Sequence, residues 1–170
     1  RGKARAAPGL IEAGTLTIRQ AEIDPKDFVR GQAPADAGLA LLFGDLFTLR
    51  AASLDRKRSK PGLKFNARYV FEALKQPPTN LQLRVELEGP TPRVIQHVPV
   101  FGRLPPGRWQ PGQFILDNQA IITRTRDRLG RYTLWLSAID EQTGEPLAVT
   151  GTGLPVVDDR VRVGQILLGK

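Results

Sequence analysis

Residues 81–88 read LQLRVELE, an unbroken alternation of four aliphatic side chains with Gln, Arg, Glu and Glu. A period of two places all four aliphatics on one face of an extended strand, whereas a helix would scatter them around its axis. Residues 63–74 (LKFNARYVFEAL) repeat the pattern: Leu63, Phe65, Ala67, Tyr69, Phe71 and Ala73 share one face, with Val70 the exception. Further strands are predicted over residues 46–54, 93–98, 114–123, 132–140, 146–150 and 161–168, and another over 15–23. The run 39–43 reads equally as strand or short helix, and one helical turn is expected after Pro25. Turn signals such as Pro77-Pro78, Gly89-Pro90, Pro111-Gly112 and Gly151-Thr152-Gly153 separate these segments, drawing on 17 glycines and 14 prolines. In 138–148 (AIDEQTGEPLA) Gly144 supplies the positive φ that closes a hairpin turn.

Seven to nine short strands with almost no helical period indicate an all-β chain, an antiparallel β-sandwich of immunoglobulin-like or jelly-roll-like type. Residues 1–14 form a basic arm with few large apolar residues, 15–42 an N-terminal extension with one strand and a loop, and 43–170 the sandwich. No stretch reaches the ~20 apolar residues of a membrane span. The first residue is Arg1 rather than methionine, as in a processed or excised piece.

Composition then narrows the chemistry. The chain has no cysteine and one histidine, which removes disulfides, thiol nucleophiles, Cys-based zinc and any site needing two histidines. His97, at the end of a predicted strand, is expected to be a packed or hydrogen-bonded structural residue. No cofactor or metal is expected. Gly151-Thr152-Gly153 lacks the helix and the lysine of a phosphate-binding loop and reads as a turn. Carboxylates for hydrolysis are available in Asp117, Asp140, Glu141, Glu145, Asp158 and Asp159, all placed in or beside turns, so enzymatic action on a polysaccharide is the weakest of the readings.

The charge is +8 and is concentrated in two runs, Arg56-Lys57-Arg58 with Lys60, and Arg124, Arg126, Arg128 with Arg131. Such runs favour polyanions or anionic surfaces. If both loops fall at one end of a sandwich they form a single cationic rim. Trp135 should point to the face opposite Tyr132, Leu134, Leu136 and Ala138, where an indole stacks on a sugar ring or lies under a neighbouring segment. Trp109 reads as a plug at one end of the core. Ligand binding is therefore assigned to Trp135, Arg124, Arg126, Arg128, Arg56, Lys57 and Arg58. With 6% aromatics and no helix-turn-helix or aromatic RNA-binding motif, nucleic acid is disfavoured as a partner.

The order FGDLFTLRAASL, KPGLKFNARYVFEAL, LQLRVELEG, QHVP, RWQPGQFILDN, GRYTLWLSAIDEQTGEPLAV and DDRVRVGQILL, spanning 43–168, resembles a known family. It is the extracytoplasmic β-sandwich domain attached to bacterial multi-pass membrane glycosyltransferases and found in related envelope proteins. Trp109-x-Pro111-Gly112 with Asp117, then Gly130-x-Tyr132 and 140–144, carry the resemblance most specifically. It implies a non-catalytic binding or scaffolding module outside the cytoplasm, in a periplasmic or cell-surface setting. The implied partners are envelope glycans, lipid-linked sugars or an anionic lipid surface, or else a membrane protein in a structural assembly.

Overall fold

The computed structural model describes residues 24–170. The strand expected over 15–23 and the basic arm 1–14 lie outside the described residues. After a single 3-10 turn at Pro25–Phe28 come twelve strands: β1 (Val29–Arg30), β2 (Ala40–Phe43), β3 (Phe47–Leu54), β4 (Arg58–Ser59), β5 (Lys64–Ala73) and β6 (Leu81–Glu88). They continue as β7 (Arg93–His97), β8 (Phe114–Ile122), β9 (Gly130–Asp140), β10 (Val149–Thr152), β11 (Val156–Val157) and β12 (Arg160–Leu168). One sheet has the order β1-β8-β5-β3-β2-β10 and the other β11-β12-β9-β6-β7, with β4 attached to β12. The architecture is an all-β sandwich.

The alternation in the sequence is the packing of the core. Phe65, Ala67, Tyr69, Phe71 and Ala73 of β5 face Leu81, Leu83, Val85 and Leu87 of β6 and Tyr132, Leu134, Leu136 and Ala138 of β9, all within 4% exposure. At roughly 25 cal/mol per Å² of apolar surface removed from water, these faces are the main source of stability. Trp109 is fully buried, its Nε1 donating to Leu104 O at 3.1 Å and its ring lying 5.2 Å from those of Phe47 and Phe71. It plugs one end of the core as its turn-flanked position implied.

The structure departs from the sequence expectations in four places. Leu63 is 52% exposed, because the strand begins one residue later at Lys64. Val70 is buried on the outer face of its sheet, in a second small apolar cluster with Ala51, Phe114 and Leu116. A bulge between Leu49 and Ala51 shifts the register of β3 against β5, bringing Ala51 opposite Val70. Third, the sandwich starts upstream of 43, since β1 pairs with β8 and β2 lies between β3 and β10. Fourth, the hairpin after β9 is cut short. Gly144, at φ 72°, closes the turn with its N–H on Asp140 O at 2.7 Å, but only Ile139 and Pro146 bridge before the chain crosses to the first sheet as β10. There Gly151 runs so close to β2 that a Cβ would lie 1.9 Å from Ala40 O, so only glycine fits. The β4–β12 pair is parallel, the one exception to antiparallel pairing among the described strands.

Candidate functional site

The two basic runs meet at one end of the sandwich. β3 ends and β5 begins there, and β8 ends where β9 begins, because Lys64 of β5 pairs with Ile122 of β8. The connecting loops are bonded to each other: Thr123 Oγ1 donates to Leu63 O at 2.7 Å and lies 3.1 Å from Lys60 O, while Thr123 N donates to Leu63 O. On the second sheet Leu167 of β12 has Arg58 on one side and Arg131 on the other. Arg56, Lys57, Arg58, Lys60, Arg124, Arg126, Arg128 and Arg131 are all exposed. Lys64 and Lys170, also exposed, and the partly exposed Arg93 extend the same surface.

Its carboxylates are largely engaged. Asp55 accepts two bonds from Arg56, at 3.0 and 3.1 Å, and two from Asn66. The Arg56 hydrogen bonds hold its carboxyl down at about 2, so it stays ionised. Asp127 is 4% exposed and folds the Arg-rich loop on itself, accepting from Arg124 N at 2.8 Å with Arg93 at 3.8 Å. Arg128 is fixed through its backbone: its N–H donates to Thr91 Oγ1 and its carbonyl accepts from Tyr132 Oη at 2.7 Å. The backbone is thereby anchored while the guanidinium groups of Arg124, Arg126 and Arg128 extend into solvent. Exposed Leu63, Ile122 and Leu129 lie among the cations. The opposite end is mixed in charge, with Asp45, Asp140, Glu141 and Glu145 on its turns beside Lys75, Arg103 and Arg108.

Trp135 is not an open platform. It points to the outer face as its register dictates, yet is 9% exposed, with the Arg160 guanidinium 4.7 Å over its ring. Arg160 in turn bonds Glu86 at 2.8 Å, and Glu86 lies opposite Trp135 across β6 and β9. A cation held by a carboxylate occupies the face on which a sugar would stack, which corrects the assignment of Trp135 to a ligand.

The expected turn carboxylates include one that is not in a turn. Asp117 sits inside β8, 2% exposed, with Oδ2 2.5 Å from His97 Nε2 and Oδ1 accepting from Val100 N at 2.8 Å. His97 is a hydrogen-bonded structural residue, 8% exposed. The pair joins the two sheets and pins the turn after β7, where Val100 and Phe101 both take φ 55°. Asp140 and Asp159 serve turns: Asp140 Oδ1 accepts from Asn80 Nδ2 and Gln142 N, and Asp159 Oδ1 from Val149 N. Among the described residues no three His, Asp or Glu side chains cluster as metal ligands, and no helix is long and apolar enough to cross a membrane.

Arg93 and Lys170 are outside the sequence assignment. Each looks like an ordinary wet-face or terminal residue, and only sheet topology shows that they adjoin the two runs. Asp117 and His97 are twenty positions apart, so their pairing leaves no local signal.

No family model and no curated protein matches the chain. Among solved structures it is similar to the Pseudomonas fluorescens alkylpurine DNA glycosylase AlkC bound to DNA containing an abasic site analog. The identity is 12% and the TM-score 0.45, over 74% of this chain and 31% of that one. This finding overturns two expectations: an envelope scaffold with glycan, lipid-surface or membrane-protein partners, and the setting aside of nucleic acid. A TM-score below 0.5 puts nothing positive in their place.

Proposed function

We propose that the cationic end is a non-catalytic binding face for the phosphate backbone of nucleic acid. The observation that carries this reading is the convergence of two Arg-rich loops on one end whose neighbouring carboxylates are bonded or buried. Arg dominates the group, and its planar fork takes two phosphate oxygens at once, where an ammonium acts as a point charge. Phosphate neutralisation releases condensed counterions, so such binding is strong at low salt and carries no base readout. The aromatic residues near this end, Phe65 and Tyr132, are fully buried in the core, which favours contact with a duplex backbone over stacking on splayed bases. Leu63, Ile122 and Leu129 supply apolar contact to sugars between the phosphates.

The test is fluorescence anisotropy with a labelled 20-base-pair duplex from 50 to 300 mM NaCl. About five phosphate contacts give a log–log slope of affinity on salt near −4.5. Binding that is absent at 50 mM, or that is unchanged in an Arg124→Ala, Arg126→Ala, Arg128→Ala triple variant, refutes the reading.

A further inference from the structure

β12 borders the second sheet, and among the described residues its outer edge is covered only at its two extremities. At the start β11 pairs with it through Val156↔Val161 and Val157↔Arg160, and Arg162 N donates to Pro155 O at 2.9 Å. Near the end β4 pairs with it through Leu167↔Arg58 and Leu168↔Ser59, and Leu167 N donates to Lys57 O at 2.9 Å. Each covering strand is two residues long. Residues 163–166 have no strand partner on that side among the described residues. Successive residues of a strand send their N–H and C=O to alternate sides, so Gln165 presents both groups to the same edge as Leu167. A groove of about 530 Å³ runs along this gap, with Leu154 and Pro155 at one end and Lys57 and Arg58 at the other. Arg131 and Arg162 complete its charged lining, and no carboxylate is among the lining residues.

We infer that this gap is a binding site for an extended acidic peptide segment of a partner protein, which adds a short strand between β11 and β4. The open backbone pair at Gln165 is the reason for a peptide. An extended segment offers the N–H and C=O that complete the ladder, and a phosphodiester backbone has no donor to offer in return. Four unpaired positions at about 3.3 Å each give a gap of roughly 13 Å, the length of a guest of three to four residues. Lys57, Arg58, Arg131 and Arg162 are the reason for acidity. They also exclude a second copy of the chain, since edge-to-edge pairing would bring four cations against the same four. Gln165 Oε1 accepts from Arg131 at 3.2 Å, and Gln165 Nε2 donates to Thr133 Oγ1 at 3.2 Å. Both contacts lie on the sheet face, which leaves the edge clear. Leu154 and Pro155 form an apolar wall for one side chain of the guest. The site differs from the proposed nucleic-acid face in depending on backbone pairing rather than on the loop of Arg124, Arg126 and Arg128.

The experiment uses the full chain and three capped, fluorescein-labelled hexapeptides at 150 mM NaCl: alternating Glu and Val, alternating Lys and Val, and the Glu–Val peptide N-methylated at its central amides. The acidic peptide should bind and slow hydrogen exchange at the Gln165 amide at least tenfold. The Lys–Val peptide should not bind, and the N-methylated peptide should bind at least tenfold more weakly. Lys57→Glu with Arg162→Glu, both at exposed positions, should abolish binding without lowering the melting temperature. The Arg124, Arg126, Arg128 triple alanine variant should leave it unchanged, so failure of the nucleic-acid reading is read separately. Equal affinity of the N-methylated and parent peptides, binding of the Lys–Val peptide, or an unaltered Gln165 amide would each overturn the proposal. A 20-base-pair duplex that by itself protects the Gln165 amide would also overturn it, assigning the groove to phosphate.

Discussion

The two long sides of the sandwich are closed in opposite ways. Between β7 and β8 a turn folds over the opening, and its polar groups are satisfied inside the protein by His97 and Asp117. That closure holds Val100 and Phe101 in left-handed backbone, at about 1–3 kcal/mol each, with Val100 buried and Phe101 57% exposed against Phe28. On the β12 side, among the described residues, two-residue strands cover only the ends, and charge lines the stretch between them. The first side commits its polar atoms to the fold. The second keeps backbone and cations available, which is why the candidate binding surfaces lie there and at the adjoining end.

Substitutions on the two sides should therefore differ in kind. Asp117→Ala leaves the buried Val100 N–H and His97 without their acceptor and should cost about 3 kcal/mol, measured by urea unfolding. Arg162→Ala, on an exposed side chain of the open side, should change stability by less than about 0.5 kcal/mol. Equal losses for the two would end the contrast.

The triple change of Arg124, Arg126 and Arg128 to alanine should weaken duplex binding by roughly tenfold to a hundredfold. It should flatten the salt slope by about 2.7 if each guanidinium meets one phosphate, with the melting temperature unmoved. Arg160→Ala uncovers Trp135 and breaks the bond to Glu86. It should cost about 1 kcal/mol and shift tryptophan emission to the red, whereas no spectral change would mean that the indole is sheltered by something else.

The smallest expected effect is at alkaline pH. Burial, with the nearby Asp117 charge, holds the Tyr69 phenol well above its ordinary value, and Tyr69 Oη donates to Gln119 Oε1 at 3.0 Å. The folded pKa is raised, so this contribution is full below about pH 10 and declines as the unfolded phenol ionises above it. Tyr69→Phe should lower stability near neutrality through the lost hydrogen bond and flatten the decline above pH 10 in chemical unfolding curves.

How far the fold could be read from sequence depended on the range of the signal. The inward faces of β5, β6 and β9 were legible because alternation is a property of neighbours one and two positions apart. Leu63 failed only at the strand boundary, where exposure follows from where pairing starts. The early crossing of β10 to the other sheet was not legible, since the turn at 140–144 suits a full hairpin equally well. At the site, the two Arg-rich runs were visible as runs, but the adjoining Arg93 and Lys170 were not. The outer-face position of Trp135 is legible in its register, but the choice between an open ring and a covered one is not, because Arg160 reaches it from another strand.

By itself the sequence determined that this chain is all-β, which side of its long strands is buried, and that chemistry based on thiols or paired histidines is closed to it. These follow from local periodicity and from residues that are absent. Only the tertiary structure decided that both cationic loops occupy one end, that His97 is spent on Asp117, and that β12 has no partner along residues 163–166 of its outer edge among the described residues. Each of these depends on which strands are neighbours. Strand order is set by the simultaneous burial of both sheets, a long-range condition that no window of the chain contains.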